Sequence, residues 1–410
     1  GEAASGLSAW PRPRGRRILP PLLHPGFMRM RFLHTSDWHL GRVYHGVSLL
    51  EDQAAVLRDF VRLAAARRPD AVLVAGDIYD RSVPPAEAVR LLDAVLTELV
   101  GELRIPVIAI AGNHDGPDRL AFGAGLLGGA GLTVRGPVSA EMAPVVLRDA
   151  DGEVAIWPLP YAEPAVVRAA FGADAIADHH AALAAQLATV RAGAVPGRRE
   201  VVIAHAFVAG CAESESERPL SVGGSGMVGA ELFAGFDYVA LGHLHRPQQV
   251  GSERIQYAGS LLKYSFAEAD HLKSVNWVEL DGAGRCTVER IPLSPPRDLR
   301  ILSGTLEALL AAASADPRCD DYVLARLADR GALLDAMGKL RSAYPNALAI
   351  ERPQLGGEGV GCVAGDHRRV RLQDLFAGFW QETTGLALAA DEAAALDRIV
   401  EALEREARHA

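Results

Sequence analysis

The sequence predicts an α/β fold with largely parallel strands, and two observations support this prediction. From about residue 30, short apolar runs alternate with segments whose apolar residues recur at helical spacing. Each early apolar run also ends in a cluster of polar residues. A strand–helix–strand–helix–strand succession places its strands side by side with right-handed crossovers. The 410 residues, 49% of them hydrophobic, suffice for two or three domains with substantial cores.

The first domain is predicted to span residues 28–290. Val56, Phe60 and Leu63 recur at helical spacing in its first helix, and a proline at position 84 opens its second. Its strands are predicted at 31–34, 71–75, 106–110, 201–204 and 238–241, with helices at 52–68 and 84–100. Residues 255–257 and 274–280 are expected to form the far edge of the same sheet.

Three further segments lie outside this domain. Residues 291–366 follow a proline-rich boundary and are predicted to form a small α+β unit, with strands at 322–327 and 348–350 and a helix at 332–343. Residues 367–410 are predicted to form two amphipathic helices, the second capped by Asp391. The apolar stripe of the first helix comprises Leu372, Leu375, Phe376, Phe379 and Trp380. Residues 1–27 are expected to be a disordered extension, with Met28 or Met30 as the natural start.

Composition excludes several classes of protein. The net charge of −9 argues against a protein that holds DNA by bulk positive charge. No apolar run approaches the roughly 18 residues that a membrane span requires. The four cysteines are scattered without a CxxC pair, which argues against a disulfide framework or a structural zinc site and suits a reducing cytoplasm.

Polar side chains follow five of the predicted strands, at the point where each strand ends. In an open α/β sheet, ligands bind at the carboxyl ends of the strands, so these side chains are expected to share one crevice. They are Asp37, His39, Asp77, Asn113, His205, His243 and His245.

This donor set predicts a metal centre. Imidazoles, carboxylates and one amide oxygen suit Mn, Fe or Zn better than an all-oxygen magnesium site. There are too many donors for one ion. Two ions about 3.5–4 Å apart are the standard arrangement for phosphoester hydrolysis. Asp77, at the end of the middle early strand, is the natural carboxylate to bridge them.

Other polar residues in the same segments are expected to have structural roles. His34 is expected to form hydrogen bonds within the Asp37 loop, and Asp80 and Asp115 are expected to support or cap the loops. His179 and His180 are predicted to be solvated on an alanine-rich helix.

The motifs D-x-H, G-D-x-x-D, G-N-H-D and G-H-x-H occur in this order and resemble those of the calcineurin-like metallophosphoesterase superfamily. Four longer stretches, 33–41, 214–224, 238–248 and 259–270, resemble more narrowly the SbcD family, the nuclease subunits of bacterial SbcCD complexes. The similarity runs from about residue 30 to the C-terminus. It implies a sandwich of mixed sheets flanked by helices, with residues 291–366 as a capping domain.

The resemblance also implies roles for single residues. His114 matches the family's catalytic histidine, which acts at the scissile phosphate without binding metal. The implied ions are two divalent cations, Mn²⁺ above all. One ion would be held by Asp37, His39, Asp77 and His245, and the other by Asp77, Asn113, His205 and His243.

The implied activity is that of a DNA repair and recombination nuclease. It would combine ATP-dependent 3′→5′ exonuclease action on duplex ends with cleavage of single strands and hairpins. The sequence has no GxxxxGK[ST] motif, so the partner ATPase, SbcC, would bind the ATP. The helices in 367–410 would dock on the base of the SbcC coiled coil. A homodimer within a heterotetramer is also implied.

Two alternatives remain open at this point. One is a calcineurin-like phosphodiesterase that acts on small nucleotides or phosphoproteins, against which the SbcD-like stretches argue. The other is a non-catalytic scaffold on the same fold, which would have lost ligand residues. All of those positions match here.

Overall fold

The computed structural model describes residues 29–217, 226–330 and 333–353, five positions between 373 and 381, and residues 389–409. The predicted extension at 1–27 lies outside the described residues. So do Leu372, Leu375 and Phe379 of the predicted apolar stripe.

Nineteen strands occur in the described part of the chain, of which β2 and β3 form a small ribbon and β10 and β11 another. They are β1 (Met30–Thr35), β2 (Val43–Tyr44), β3 (Val47–Ser48), β4 (Ala71–Val74), β5 (Val107–Ile110), β6 (Leu132–Arg135), β7 (Val145–Asp149), β8 (Gly152–Leu159), β9 (Arg199–His205), β10 (Phe207–Val208), β11 (Met227–Val228), β12 (Tyr238–Gly242), β13 (Gln248–Val250), β14 (Ser252–Tyr257), β15 (Ser274–Leu280), β16 (Cys286–Pro292), β17 (Leu299–Gly304), β18 (Tyr322–Leu327) and β19 (Ala347–Glu351).

The helices alternate with these strands, and a π-helical turn at Thr97–Glu102 extends the second of them. The α-helices of the described residues are α1 (Leu50–Arg67), α2 (Ala86–Leu96), α3 (Pro117–Leu120), α4 (Ala124–Leu127), α5 (Pro164–Phe171), α6 (His179–Gly193), α7 (Leu306–Ala313), α8 (Ala336–Ala343) and α9 (Ala390–His409).

Two six-stranded mixed sheets form the first domain, and the predicted sandwich is confirmed. The first sheet has the order β16-β15-β1-β4-β5-β6, with parallel pairing from β1 to β6. The second has the order β13-β14-β12-β9-β8-β7, with parallel pairing from β14 to β8. All four residues of β4 are buried, as expected for a parallel strand covered on both faces.

The apolar residues form four layers, helix–sheet–sheet–helix. Phe32 and Ile108 of the first sheet pack against Val201 and Ile203 of the second between the two sheets. Val56, Phe60 and Ala64 follow one another at a spacing of four residues and bury one face of α1 against the outer side of the first sheet. Helix α6 covers the second sheet in the same way. The sandwich therefore fixes the strand ends of both sheets at one rim.

The expectation that 255–257 and 274–280 form one sheet edge is wrong. The first segment belongs to β14, which lies inside the second sheet between β12 and β13. The second segment is β15, which pairs antiparallel with β1 and lies inside the first sheet. Apolar runs of this length carry no information about which sheet they join, because that depends on long-range pairing.

The smaller C-terminal unit has a three-stranded parallel sheet, β17-β18-β19. One face packs with α7 and α8 around Leu306, Val323 and Leu340. The other face, which includes Leu299 and Tyr322, joins the core of the first domain. Strand β17 and helix α7 are additions to the predicted elements.

The last helix, α9, begins two residues before the start that a cap at Asp391 predicts. Asp391 therefore lies in its first turn, and the backbone amide of Ala389 donates to Glu392 Oε2 over 2.8 Å. In the described part of the chain, no helix has both the length and the apolar character that a bilayer span demands.

Candidate metal centre

The strand ends of the two sheets meet at one rim of the sandwich. The first sheet contributes Asp37 and His39 after β1, Asp77 after β4, and Asn113 after β5. The second contributes His205 at the end of β9, and His243 and His245 after β12. The structure thus brings together all seven candidate ligands. Six are buried, and Asn113 is half-buried.

Four of these residues have backbone conformations that non-glycine residues seldom adopt. The φ angles are 51° at Asp37, 45° at His39, 49° at Asp77 and 107° at His243. The Asp37 amide donates to the Gly76 carbonyl over 3.0 Å and holds two of the loops together. Such strain persists only where the surroundings enforce it, and it is concentrated at functional sites.

Two glycines make room for the side chains of the centre. A Cβ atom at Gly112 would lie 2.2 Å from Asp77 Oδ1, and one at Gly76 would lie 2.5 Å from His205 Nδ1. Gly76 also has a φ of +90°, in the region that favours glycine. The glycines of G-D-x-x-D and G-N-H-D therefore allow the loops to approach the carboxylate and the imidazole.

The first cluster of donor atoms forms around His39. Its Nε2 lies 3.0 Å from Nε2 of His245 and 3.7 Å from Oδ2 of Asp77. Donor atoms of Asp37, His39 and His245 all lie within 4.8 Å of one another. This spacing is compatible with one shared cation.

The second cluster forms around Asn113. Its Oδ1 lies 2.9 Å from His205 Nε2 and 3.2 Å from His243 Nδ1. Nε2 of His205 is 3.5 Å from Oδ2 of Asp77, the same oxygen that faces His39. One carboxylate oxygen therefore borders both clusters.

The electrostatics of the centre favour bound positive charge. Burial lowers the pKa of His39 and of His243 well below the usual value, so both imidazoles are neutral and have a free lone pair. Burial also opposes a charge on His205, but Asp77 and Asp37 outweigh it and raise the pKa of His205 to about 9. The raised pKa of His205 indicates that the neighbouring carboxylates favour positive charge at this position. The donor set fits two divalent cations, which would supply such charge.

Hydrogen bonds fix the orientation of two of the imidazoles. His205 Nδ1 donates to the Ala75 carbonyl over 2.9 Å, which turns Nε2 toward the centre. His245 Nδ1 lies 2.7 Å from Ser216 Oγ and 3.2 Å from Glu268 Oε1, so its Nε2 also faces inward. A partner on the second ring nitrogen is typical of metal-binding histidines.

A buried network behind His245 was not predicted as part of the site. Glu268 is fully buried, accepts from Ser216, and pairs with Lys273. The Lys273 ammonium also donates to the His245 carbonyl over 2.8 Å. Burial opposes ionisation of Glu268, but Lys273 outweighs it and lowers the pKa of the carboxyl. The family-like stretch at 259–270 contains Glu268 and was the signal available in the sequence.

Replacing Glu268 with glutamine is expected to weaken metal binding by about 10–100-fold, because His245 loses its anionic partner. Metal titration of the purified variant would measure this loss. The double variant Glu268→Gln/Lys273→Met avoids leaving a buried ammonium unpaired, and the surface variant Glu279→Gln is the control. Unchanged metal affinity in the folded double variant would contradict the role of Glu268.

His114 lies beside the first cluster. Its ring packs edge-on against His39 at a centroid distance of 4.7 Å, and its Nδ1 donates to the Asp80 carbonyl over 2.9 Å. The half-buried ring thus has its Nε2 available for another partner. His39, Asp77 and His114 also have donor atoms within 4.8 Å of one another, so the geometry allows His114 to act as a ligand as well.

The remaining polar residues have supporting positions. His34 does not bond within the Asp37 loop as expected. Its Nδ1 lies 2.8 Å from the Tyr238 hydroxyl and its Nε2 3.2 Å from the Leu241 carbonyl, which connects the two sheets. Asp80 pairs with Arg42, and Asp115 accepts backbone amides of both the second and the third loop.

The prediction that His179 and His180 are solvated is wrong for His179, whereas His180 is half-buried. His179 is 8% exposed and stacks on Tyr161, and His180 accepts from the Gly229 amide. Both histidines lie at the start of α6, where neighbouring loops cover them. Helical spacing alone did not reveal those loops.

Comparisons with known proteins agree with this geometry. Residues 30–153 match the calcineurin-like phosphoesterase family, and residues 295–384 match the type 5 capsule protein repressor C-terminal domain. The SbcD subunit of the SbcCD nuclease of Staphylococcus saprophyticus is 33% identical over 382 residues, which cover 92% of this chain and 99% of that protein.

Two solved structures are more distantly similar. The TT1561 protein of Thermus thermophilus is 15% identical with a TM-score of 0.37, over 64% of this chain and 99% of that one. A dimetal phosphatase from Danio rerio is 13% identical with a TM-score of 0.39, over 65% of this chain and 99% of that one. The identity of the staphylococcal relative and its coverage of both chains show the family of this chain. The chain belongs to the SbcD family of nuclease subunits and is a metal-dependent phosphodiester hydrolase.

Proposed function

We propose that this chain hydrolyses DNA phosphodiester bonds with two Mn²⁺ ions. The observation that supports the proposal best is the position of Asp77. One of its carboxylate oxygens lies 3.7 Å from His39 Nε2 and 3.5 Å from His205 Nε2, between the two donor clusters. A carboxylate shared by two ions is the arrangement used for phosphoester hydrolysis. Mixed imidazole, carboxylate and amide donors favour Mn²⁺ over Mg²⁺.

Each ion has a proposed set of ligands. The donor distances above support both sets, and Asp77 belongs to each of them. The first set is Asp37, His39, Asp77 and His245, and the second is Asp77, Asn113, His205 and His243.

The side chains around the ions have separate tasks. Bound divalent cations would stabilise charge on the phosphoryl oxygens and activate the attacking water. His114 is the proposed general acid, because the Asp80 carbonyl holds its Nδ1 and leaves Nε2 to protonate the departing 3′ oxygen. Asp37 accepts hydrogen bonds from the His243 backbone amide and from Ser36 Oγ. The first of these bonds holds a loop of the first sheet against a loop of the second.

DNA is the proposed substrate, and an SbcC-type ATPase is the proposed partner. The staphylococcal relative is named as a nuclease and as one subunit of the SbcCD complex, which supports both proposals. ATP-dependent 3′→5′ exonuclease action, hairpin cleavage and a homodimer within a heterotetramer belong to the same proposal. The cytoplasmic location stays a prediction from the scattered cysteines.

We expect Mn²⁺-dependent cleavage of a hairpin DNA, and we expect ATP and the SbcC-type partner to stimulate exonuclease action on duplex ends. A gel assay with and without each component would measure this. A small phosphodiester such as bis(p-nitrophenyl) phosphate is the control substrate. Cleavage of the small diester without any cleavage of DNA would favour the alternative of a phosphodiesterase for small nucleotides or phosphoproteins.

The C-terminal segment 367–410 is the proposed contact for the partner. Phe376 is 38% exposed, and Ile399, in α9, is 57% exposed. Apolar side chains on the surface of a helix are typical of helix-in-groove recognition. The proposed segment thus presents side chains that a groove on a partner could cover.

Deleting residues 367–410 is expected to abolish copurification with the SbcC-type partner, because the docking helices are lost. Metal-dependent cleavage of bis(p-nitrophenyl) phosphate should persist, since all of the candidate ligands lie before residue 246. That activity also serves as the control for folding. Undiminished binding of the partner would contradict the docking proposal.

A further inference from the structure

A cavity of about 530 Å³ lies between the first domain and the smaller C-terminal unit, which contains β17–β19, α7 and α8 and is called the capping unit below. Leu262 and His271 contribute to its wall from the first domain, and Leu299 and Tyr322 contribute from the capping unit. Its volume is in the range of cavities that hold small organic ligands. None of the candidate metal ligands lines it.

The lining of this cavity is basic, although the whole chain has a net charge of −9. Two carboxylates, of Asp270 and Asp298, also line it, and Asp270 is well exposed. The basic residues of the lining are Arg246, Lys263, Lys273, Arg290 and Arg297.

Three of these cations are already paired. The pairs are Lys263 with Asp298, Lys273 with Glu268, and Arg297 with Asp52. Arg290 donates to the neutral amide oxygen of Gln256 over 3.2 Å. Across the described ranges, no carboxylate lies within ion-pair distance of Arg246 or Arg290. Two guanidinium groups are therefore available to an anion.

Two buried polar atoms in the wall also lack hydrogen-bond partners. His271 is 6% exposed and Ser274 is 5% exposed. As far as the structure describes the chain, neither His271 Nδ1 nor Ser274 Oγ forms a hydrogen bond. Burial, together with the nearby Lys273, lowers the pKa of His271 to about 4, so the ring is neutral and can donate an N–H. Buried polar groups are normally satisfied, so the Ser274 hydroxyl is available to a polar ligand in the cavity. His271 Nδ1 faces Glu268 Oε2 at 3.9 Å and lacks only a hydrogen bond.

We propose that this cavity binds a nucleoside monophosphate, with the phosphate on Arg246 and Arg290 and the base against the apolar wall. The choice of nucleotide rests on the proposed function, because mononucleotides are the products of an exonuclease. A guanidinium group can donate two parallel hydrogen bonds to phosphate oxygens, which supports placing the phosphate on the two arginines. Leu262, Leu299 and Tyr322 offer apolar surface for the base. The cavity is too small for duplex DNA. A bound nucleotide would contact both domains and stabilise the position of the capping unit on the first domain.

Titration calorimetry with thymidine 5′-monophosphate tests this proposal on the full-length, Mn²⁺-loaded protein. We expect two binding events in the wild type, one at the metal centre and one in the cavity. Arg290→Gln and Arg246→Gln, each at an exposed side chain, should weaken only the second event, by about tenfold or more. Arg62→Gln, at an exposed arginine of α1, is the matched control and should bind like the wild type.

Two further ligands test the chemistry of the site. Thymidine, which lacks the phosphate, should not fill the cavity, and inorganic phosphate should bind there more weakly than the nucleotide. The proposal would be overturned if both cavity variants bound thymidine 5′-monophosphate as tightly as the wild type does. It would also be overturned if thymidine or inorganic phosphate bound the wild type as tightly as the nucleotide does. Exonuclease action of the wild type on duplex ends is assayed separately, so failure of the nuclease proposal would be recognised independently of the titration.

Discussion

Replacing Asp77 with asparagine is expected to lower phosphodiester cleavage by at least about 10³-fold, because metal stabilisation of the transition state contributes several kcal/mol. Bound Mn²⁺ should fall at both positions at once. The physical reason is that one oxygen of Asp77 borders both donor clusters. An amide oxygen carries no formal charge and cannot bridge two dications as a carboxylate does. Metal content per chain and the rate of hairpin cleavage are the two measurements.

Asparagine is the right substitution at this position because the fold should survive it. Asp77 has a φ of 49°, a conformation that asparagine tolerates better than most residues. The amide oxygen can still accept the His114 backbone amide, which lies 2.8 Å from Asp77 Oδ1. Asp93→Asn, at an exposed residue of α2, is the control. Wild-type metal content in Asp77→Asn would refute the bridge.

Replacing His114 with glutamine is expected to reduce DNA cleavage by about 10²–10⁴-fold, the usual contribution of a general acid. Metal content should stay unchanged. The loss should be smaller on bis(p-nitrophenyl) phosphate, because p-nitrophenolate departs without a proton whereas a 3′ alkoxide needs one. The ratio of the two losses therefore reports on proton donation and not on general damage to the site.

Metal analysis decides between two roles for His114. Its donor atoms lie close enough to those of His39 and Asp77 for it to bind an ion. Loss of metal in His114→Gln would assign it as a ligand and contradict the role of general acid. His180→Gln, in α6, is the control for replacing a histidine elsewhere in the domain.

Much of the fold could be predicted because the relevant signals are local. The buried strands β4 and β5 are unbroken apolar runs between turns, and α1 has a regular apolar stripe. The clustering of the candidate ligands could be predicted for the same reason, since each lies at or shortly after the end of a strand. In parallel strands, the carboxyl ends meet at one edge whatever the sequence between them.

The rest depended on contacts between distant parts of the chain. Nothing in 255–257 or 274–280 indicates which sheet each segment joins, and the division into two sheets arises from long-range pairing. Glu268 was overlooked because its partners, Ser216 and His245, are 52 and 23 residues away. A single glutamate between two alanines has no spacing pattern of its own, so only the fold reveals its role.

The division of the ligands between the two sheets has a consequence for the whole domain. Carboxylates come from one sheet and three imidazoles from the other, so an ion bound here cross-links the two halves of the sandwich. By linkage, binding that favours the assembled state stabilises it, and loosening of that assembly weakens binding. The interior layer around Phe32 and Ile203 contains no ligand, but it holds the two sheets together. By this linkage, the metal affinity of the centre is expected to depend on the interior of the sandwich as well as on its rim.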